Sequence, residues 1–175
     1  TRGTGNLHFC VNGDNNDVNV STGHSRMRIN SAGIVTKPYQ PAFKQGWDSM
    51  TSGSGRTLAT NSSGISVVTD RDVFNIGSHF NAANGRFTAP VAGTYVFGFS
   101  LMRNGTNGSG VDARIKKNGS LMYARYYVSS YTSSYEVATL TTTTNCAVGD
   151  YFTVELSGGM SLYSDDSYSF GYLLG

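Results

Sequence analysis

Five tyrosines, Tyr123, Tyr126, Tyr127, Tyr131 and Tyr135, fall within thirteen residues, interleaved with serines and Arg125. A tyrosine offers an apolar ring and a hydroxyl on a side chain with little rotamer entropy to lose. Such clusters therefore suit contact with a glycan or a protein surface. The run Tyr127-Val128-Ser129-Ser130-Tyr131 reads as an exposed loop, which makes Tyr127 and Tyr131, with Arg125 beside them, contact candidates. The Gly- and Asn-rich stretch 104–110, with Asn104 and Asn107, is a second candidate. The competing use of tyrosine is packing in a core or between subunits, and Tyr95 and Tyr172 are expected to serve there.

Catalytic constellations find little support. His8, His24 and His79 are isolated and lack metal-ligand spacing, and no Gly-x-Ser-x-Gly turn is present. Glu136 and Glu155 are the only glutamates. Both fall in predicted strands, where a carboxylate usually solvates an outer face. Cleaving a polysaccharide needs two carboxyls held several ångströms apart. Asp165 and Asp166, adjacent in sequence, do not suit that geometry. Gly108-Ser109-Gly110-Val111-Asp112-Ala113 loosely echoes a dinucleotide loop, but a strand follows it where a helix is needed. The expectation is a binding protein that is not an enzyme.

Composition narrows the partners. Charged residues make up 14% of the 175, the formal net charge is +2, and the only adjacent basic pair is Lys116-Lys117. No electrostatic footprint for nucleic acid is visible. No apolar run is long enough to cross a bilayer, so membrane insertion is not expected, and no stretch of this sequence reads as a signal peptide. Cys10 and Cys146 lie far apart and read as two free thiols rather than a disulfide staple. The chain starts at Thr1, not Met, so it is expected to be part of something longer.

The elements that must carry these residues are strands, because alternation dominates and no window sustains helical spacing. Tyr95, Phe97, Phe99 and Leu101 oppose Thr94, Val96, Gly98 and Ser100. Phe152, Val154 and Leu156 oppose Tyr151, Thr153 and Glu155. Val111, Ala113 and Ile115 oppose Asp112, Arg114 and Lys116. Turn signals at Asn84-Gly85, Pro90 with Gly93, Asn118-Gly119 and Gly149-Asp150 punctuate them. This pattern predicts an all-β sandwich or barrel over residues 41–175. Residues 1–40 also alternate, at Leu7, Phe9 and Val11 and at Met27 and Ile29, but hold too few apolar residues to bury a core alone. They are expected to form a β-rich shaft segment whose core is shared by intertwined chains. Pro38 and Pro41 stiffen the connector that ends it.

The head carries a resemblance. Phe74-Asn75, Phe80-Asn81, Gly85-Arg86-Phe87-Thr88-Ala89-Pro90 and Gly93-Thr94-Tyr95-Val96-Phe97 together resemble the globular C1q-like domain of the C1q/TNF superfamily. Gly149-Asp150-Tyr151-Phe152-Thr153-Val154 is similar to its penultimate strand. Ser167-Tyr168-Ser169-Phe170-Gly171-Tyr172-Leu173-Leu174 is similar to its last. The resemblance implies a ten-stranded jelly roll that assembles as a homotrimer. Apolar side chains on both faces of 94–101 suit a strand between a core and a trimer axis. The run Leu162-Tyr163-Ser164-Asp165-Asp166-Ser167 is similar to an acidic loop of calcium-binding C1q-like proteins. That likeness implies calcium held by Asp165 and Asp166 from three copies. A polar turn capped by the same aspartates is the simpler alternative.

The N-terminal part departs from animal members, which carry a collagen-like Gly-X-Y stalk. Gly5-Asn6-Leu7-His8-Phe9 and Ser25-Arg26-Met27-Arg28-Ile29-Asn30-Ser31-Ala32-Gly33-Ile34-Val35 resemble bacteriophage tail-fibre segments that end a shaft before the distal tip. Together the two resemblances imply the receptor-binding tip of a trimeric tail fibre in a virion. Its partners would be a host cell-surface polysaccharide or protein receptor and other virion tail proteins. The alternatives are an extracellular C1q-like recognition protein of a cell, or a structural trimerisation cap.

Overall fold

A computed structural model describes residues 5–11, 25–48, 56–60, 67–68, 73–103, 111–119, 121–129, 135–157, 162–163 and 166–175. The chain divides into two compact units, Thr1–Gln40 and Pro41–Gly175. All named elements among the described residues are strands.

The first unit is an antiparallel meander of β1 (Leu7–Cys10), β2 (Ser25–Ile29) and β3 (Val35–Thr36). Leu7 lies opposite Ile29 and Phe9 opposite Met27. The β2–β3 turn is built by Asn30, whose side-chain oxygen accepts from the amides of Ala32 (3.0 Å) and Ile34 (2.9 Å). The meander leaves its apolar residues open to water, Leu7 at 56% and Phe9 at 50% exposure.

The second unit packs two antiparallel sheets. The first has the order β13-β10-β15-β4-β6, from β13 (Val137–Cys146), β10 (Gly93–Met102), β15 (Tyr168–Leu173), β4 (Ala42–Trp47) and β6 (Val67–Val68). β7 (Phe74–Ile76) pairs with the remaining length of β4. The second has the order β12-β11-β14-β9-β8, from β12 (Leu121–Val128), β11 (Val111–Lys117), β14 (Tyr151–Ser157), β9 (Arg86–Thr88) and β8 (Phe80–Asn81). β5 (Arg56–Thr57) pairs with the far end of β14. The short segments β6 and β7 share one edge position on β4, and β5 and β9 share one on β14. Each sheet therefore offers five strand positions, the ten of a jelly roll.

The alternation read from the sequence decides what the sheets bury. Tyr95, Phe97, Phe99 and Leu101 of β10 point into the core, and so do Ala113 and Ile115 of β11 and Phe152 and Leu156 of β14. The rings stack across the gap between sheets: Phe43 on Phe80 (centroids 4.3 Å) and Phe97 on Phe152 (4.0 Å). Two polar side chains at the core are paired, as burial favours. Trp47 Nε1 donates to Ser169 Oγ (3.1 Å) and the Tyr95 hydroxyl to the Val91 carbonyl (3.0 Å). Gly85 must be glycine: its φ is +66°, and a Cβ there would lie 2.1 Å from the Leu58 carbonyl oxygen.

One acidic turn ties the sheets' ends. The Asp150 carboxylate accepts from Asn118 Nδ2 (2.9 Å) and the Ala147 amide (2.9 Å), and pairs with Lys117 Nζ (2.5 Å). The Asn118 bond first, then Lys117 and the Ala147 amide, pull this carboxyl from its ordinary 3.8 to about 2. A carboxyl depressed on folding stabilises above its unfolded value, and that stability is lost as pH falls through the folded one. The melting temperature is therefore expected to drop between pH 3.8 and about 2. Asp150→Asn should shallow that drop; an identical acid profile in the variant would locate the sensitivity elsewhere.

Candidate functional site

The outward face of the second sheet is the candidate binding surface. The period-2 pleat that buries Ala113 and Ile115 turns Asp112, Arg114 and Lys116 outward. It does the same for Tyr151, Thr153 and Glu155 on β14, for Arg125 and Tyr127 on β12 and for Arg86 on β9. The register then juxtaposes them: Asp112 lies opposite Tyr127, Arg114 opposite Arg125 on one side and Glu155 on the other.

Two arginines directly across a ladder repel, and Asp112 resolves the conflict. Its carboxylate accepts from Arg125 Nε (2.8 Å) and Nη2 (2.9 Å) and from Arg114 Nε (3.0 Å), with a further close bond from Arg114 Nη2. Burial alone would raise this carboxyl, but the Arg125 and Arg114 bonds outweigh it and hold it below its ordinary value. Asp112 in turn raises Arg125 through their hydrogen bond. The chain of charge continues from Arg114 Nη1 to Glu155 Oε1 (3.5 Å) and from Glu155 Oε2 to Lys116 Nζ (2.6 Å). Asp112→Ala should destabilise the fold by about 1–3 kcal/mol. The lower half of that range is expected, because both guanidiniums still reach water. Urea unfolding checks this, and an unmoved midpoint would mean that solvent already screens the cluster.

Among the residues read from the sequence as contacts, Tyr127 stands on strand β12 and not in a loop. The turn-like serines after it misled the reading, whereas its cross-strand partner Asp112 lies inside β11. Tyr127 remains open, at 60% exposure, with the Arg125 guanidinium 4.7 Å over its ring. Arg125 is committed to Asp112, so it presents Tyr127 more than it presents itself. Tyr131, Asn104, Asn107 and Asp165 lie outside the described residues, and Asp166 is exposed. Among the described residues no group of three or more His, Cys, Asp or Glu could hold a metal ion.

The same face carries a feature that the sequence reading missed. A cavity of about 250 Å³ opens between β9, β14, β5 and the β11–β12 turn, lined by Thr57, Asn84, Arg86, Lys116, Tyr151 and Glu155. The Arg86 guanidinium sits 4.3 Å over the Tyr151 ring. Gly119 (φ +78°) leaves the Tyr151 hydroxyl uncovered, since a Cβ there would come within 2.8 Å of it. Alternation could have marked Arg86, Tyr151 and Glu155 as outward-facing. Nothing local says that β9, β14 and β5 are neighbours.

Known proteins share this architecture. The C1q domain profile matches residues 51–174. The globular domain of zebrafish complement 1qA protein superposes with a TM-score of 0.55 at 15% identity, covering 78% of this chain and 98% of that one. Murine APRIL superposes with a TM-score of 0.56 at 10% identity, covering 77% and 99%. At these identities the structural likeness speaks for the fold.

Proposed function

The chain belongs to the C1q domain family, whose members are typically non-enzymatic recognition modules, and from that premise we propose that it is the receptor-binding tip of a trimeric bacteriophage tail fibre. The observation that carries this reading is the first unit. A three-stranded meander with Leu7, Phe9 and Val35 half open to water cannot hold itself together in isolation, because two or three strands need a covered apolar face. Two further copies of the same segment would supply that cover, as an intertwined shaft does. No collagen-like repeat is present to do so.

The head offers a matching surface. On the outer face of the first sheet Tyr168, Phe170 and Tyr172 of β15 lie beside Val96 and Gly98 of β10, with Phe74 of β7 close by. Phe74 is 47% and Tyr172 40% exposed, which leaves an apolar surface for two neighbouring heads. The polar face of the second sheet would then point away from the axis, repeated three times. Weak contacts at each copy would sum to tight attachment through effective concentration. Virion localisation and tail-protein partners belong to this reading.

The extracellular recognition protein of a cell shares the C1q head and differs in what lies upstream. A tail-attachment domain and neighbouring virion genes would favour the fibre; a signal peptide would favour the cellular protein. The direct experiment is adsorption of the purified, fluorescently labelled chain to a panel of bacterial strains. Saturable binding to some strains, competed by unlabelled protein, is expected. A chain that is trimeric yet adsorbs to none would leave only a structural cap.

A further inference from the structure

We infer that the cavity between β9, β14, β5 and the β11–β12 turn is a subsite for one sugar ring bearing an anionic substituent, a carboxylate or a phosphate. Size comes first. At about 250 Å³ the cavity falls below the ~300 Å³ at which drug-sized ligand pockets begin, so it suits a single ring of a longer glycan rather than several. Lining comes second. Thr57, Asn84, Tyr151 and Glu155 present hydroxyls, an amide and a carboxylate, the mixed donors and acceptors that a polyol satisfies and an apolar ligand leaves unpaired.

Charge selects the substituent. Glu155 is the one carboxylate in the lining, and it is already engaged by Lys116 at 2.6 Å and Arg114 at 3.5 Å. Lys116 and Arg86 stand against it, so the lining carries one excess positive charge. Arg86 is exposed and makes no ion pair with a described residue. Its guanidinium is held in place by the Tyr151 ring beneath it, at 4.3 Å. A planar, pre-positioned fork of donors at the mouth of a polar cavity matches a carboxylate or phosphate better than any neutral hydroxyl. Gly119 keeps the opposite rim low, where any side chain would crowd the Tyr151 hydroxyl.

This assignment rests on reading the chain as a receptor-binding head, and the test separates the two. The full chain is applied to an array of microbial glycans that includes uronate-, sialate- and phosphate-bearing members and their neutral counterparts. Arg86→Ala, Lys116→Ala and Gly119→Val variants are run in parallel, and adsorption to cells is measured for all four proteins. Circular dichroism and melting temperature establish that each variant folds. Binding concentrated on anionic glycans is expected. It should weaken about tenfold or more in Arg86→Ala or Lys116→Ala and fall as salt rises. Uronate and sialate members against phosphate members tell which anion is taken. Equal binding to neutral glycans, a silent array, or anionic binding that all folded variants retain would each overturn the subsite. Undiminished cell adsorption in those cases would leave the receptor-binding reading standing. Failure of the unaltered chain to adsorb to any cell would instead remove that reading, and glycan binding would then be judged on the array alone.

Discussion

Phe97→Ala is expected to lower the unfolding free energy by about 3–5 kcal/mol, seen as a fall in denaturant midpoint at unchanged slope. Phe97 is 3% exposed and is one of the rings through which the two sheets meet. It stacks on Phe152 at 4.0 Å, meets Phe87 at 5.4 Å and lies parallel to Tyr95 at 6.0 Å. Its underside is flush with Gly171, where a Cβ would come within 2.5 Å of its ring. Truncation therefore loses the transfer free energy of a whole ring and leaves a void. Phe87, held by its own stack on Phe43 at 5.2 Å, cannot readily collapse into it. Gly171→Ala probes the same contact from the other side by overfilling it. Both measurements belong at one protein concentration, since association adds to apparent stability. A loss below about 1 kcal/mol, the ordinary cost of an unremarkable substitution, would mean that the inter-sheet gap repacks.

Phe170→Asp should abolish the proposed trimer while leaving the head folded. Phe170 belongs to the outer face of β15, opposite Gly98 in the ladder. A Cβ on Gly98 would lie 2.4 Å from the Phe170 ring, so the ring packs against β10, with Lys44 across the ladder on its other side. An aspartate there would place a carboxylate near the axis in each of three copies. Lys44 stands across the ladder from it, but such a partner only partly offsets the cost of taking a carboxylate out of water, and three like charges add repulsion. Light scattering at micromolar concentration should report a trimer for the natural sequence and a monomer for the variant, with β-sheet circular dichroism retained. A variant that remains trimeric would remove this face from the axis.

Much of the fold was legible in local pattern. The in-out assignment of β10, β11 and β14 follows from alternation, because a pleated strand sends successive side chains to opposite faces wherever it pairs. The need for glycine at Gly85 and Gly119 follows from turn chemistry in Asn84-Gly85 and Asn118-Gly119. Tyr127 shows where local reading stops. Its serine-rich neighbourhood suggests a loop, and only the fifteen-residue reach back to Asp112 of β11, which pairs with it, makes it a strand residue.

The surface depended on more than pattern. Asp112 reads as one carboxylate on a polar face; that it bridges Arg114 and Arg125 requires β11 and β12 to pair in one register. Arg86, Lys116, Tyr151 and Glu155 come from three strands and share a cavity because β9 and β11 flank β14 on its two sides. Residue order along the chain determined the β architecture, the core face of each long strand and the positions of the obligatory turns. These are properties of a backbone with a two-residue period and of glycine's access to positive φ. Tertiary structure decided which outward side chains meet, hence the ion-pair chain and the cavity. Strand neighbours are chosen by non-local hydrogen bonding and shared burial, and no short window of sequence records that choice.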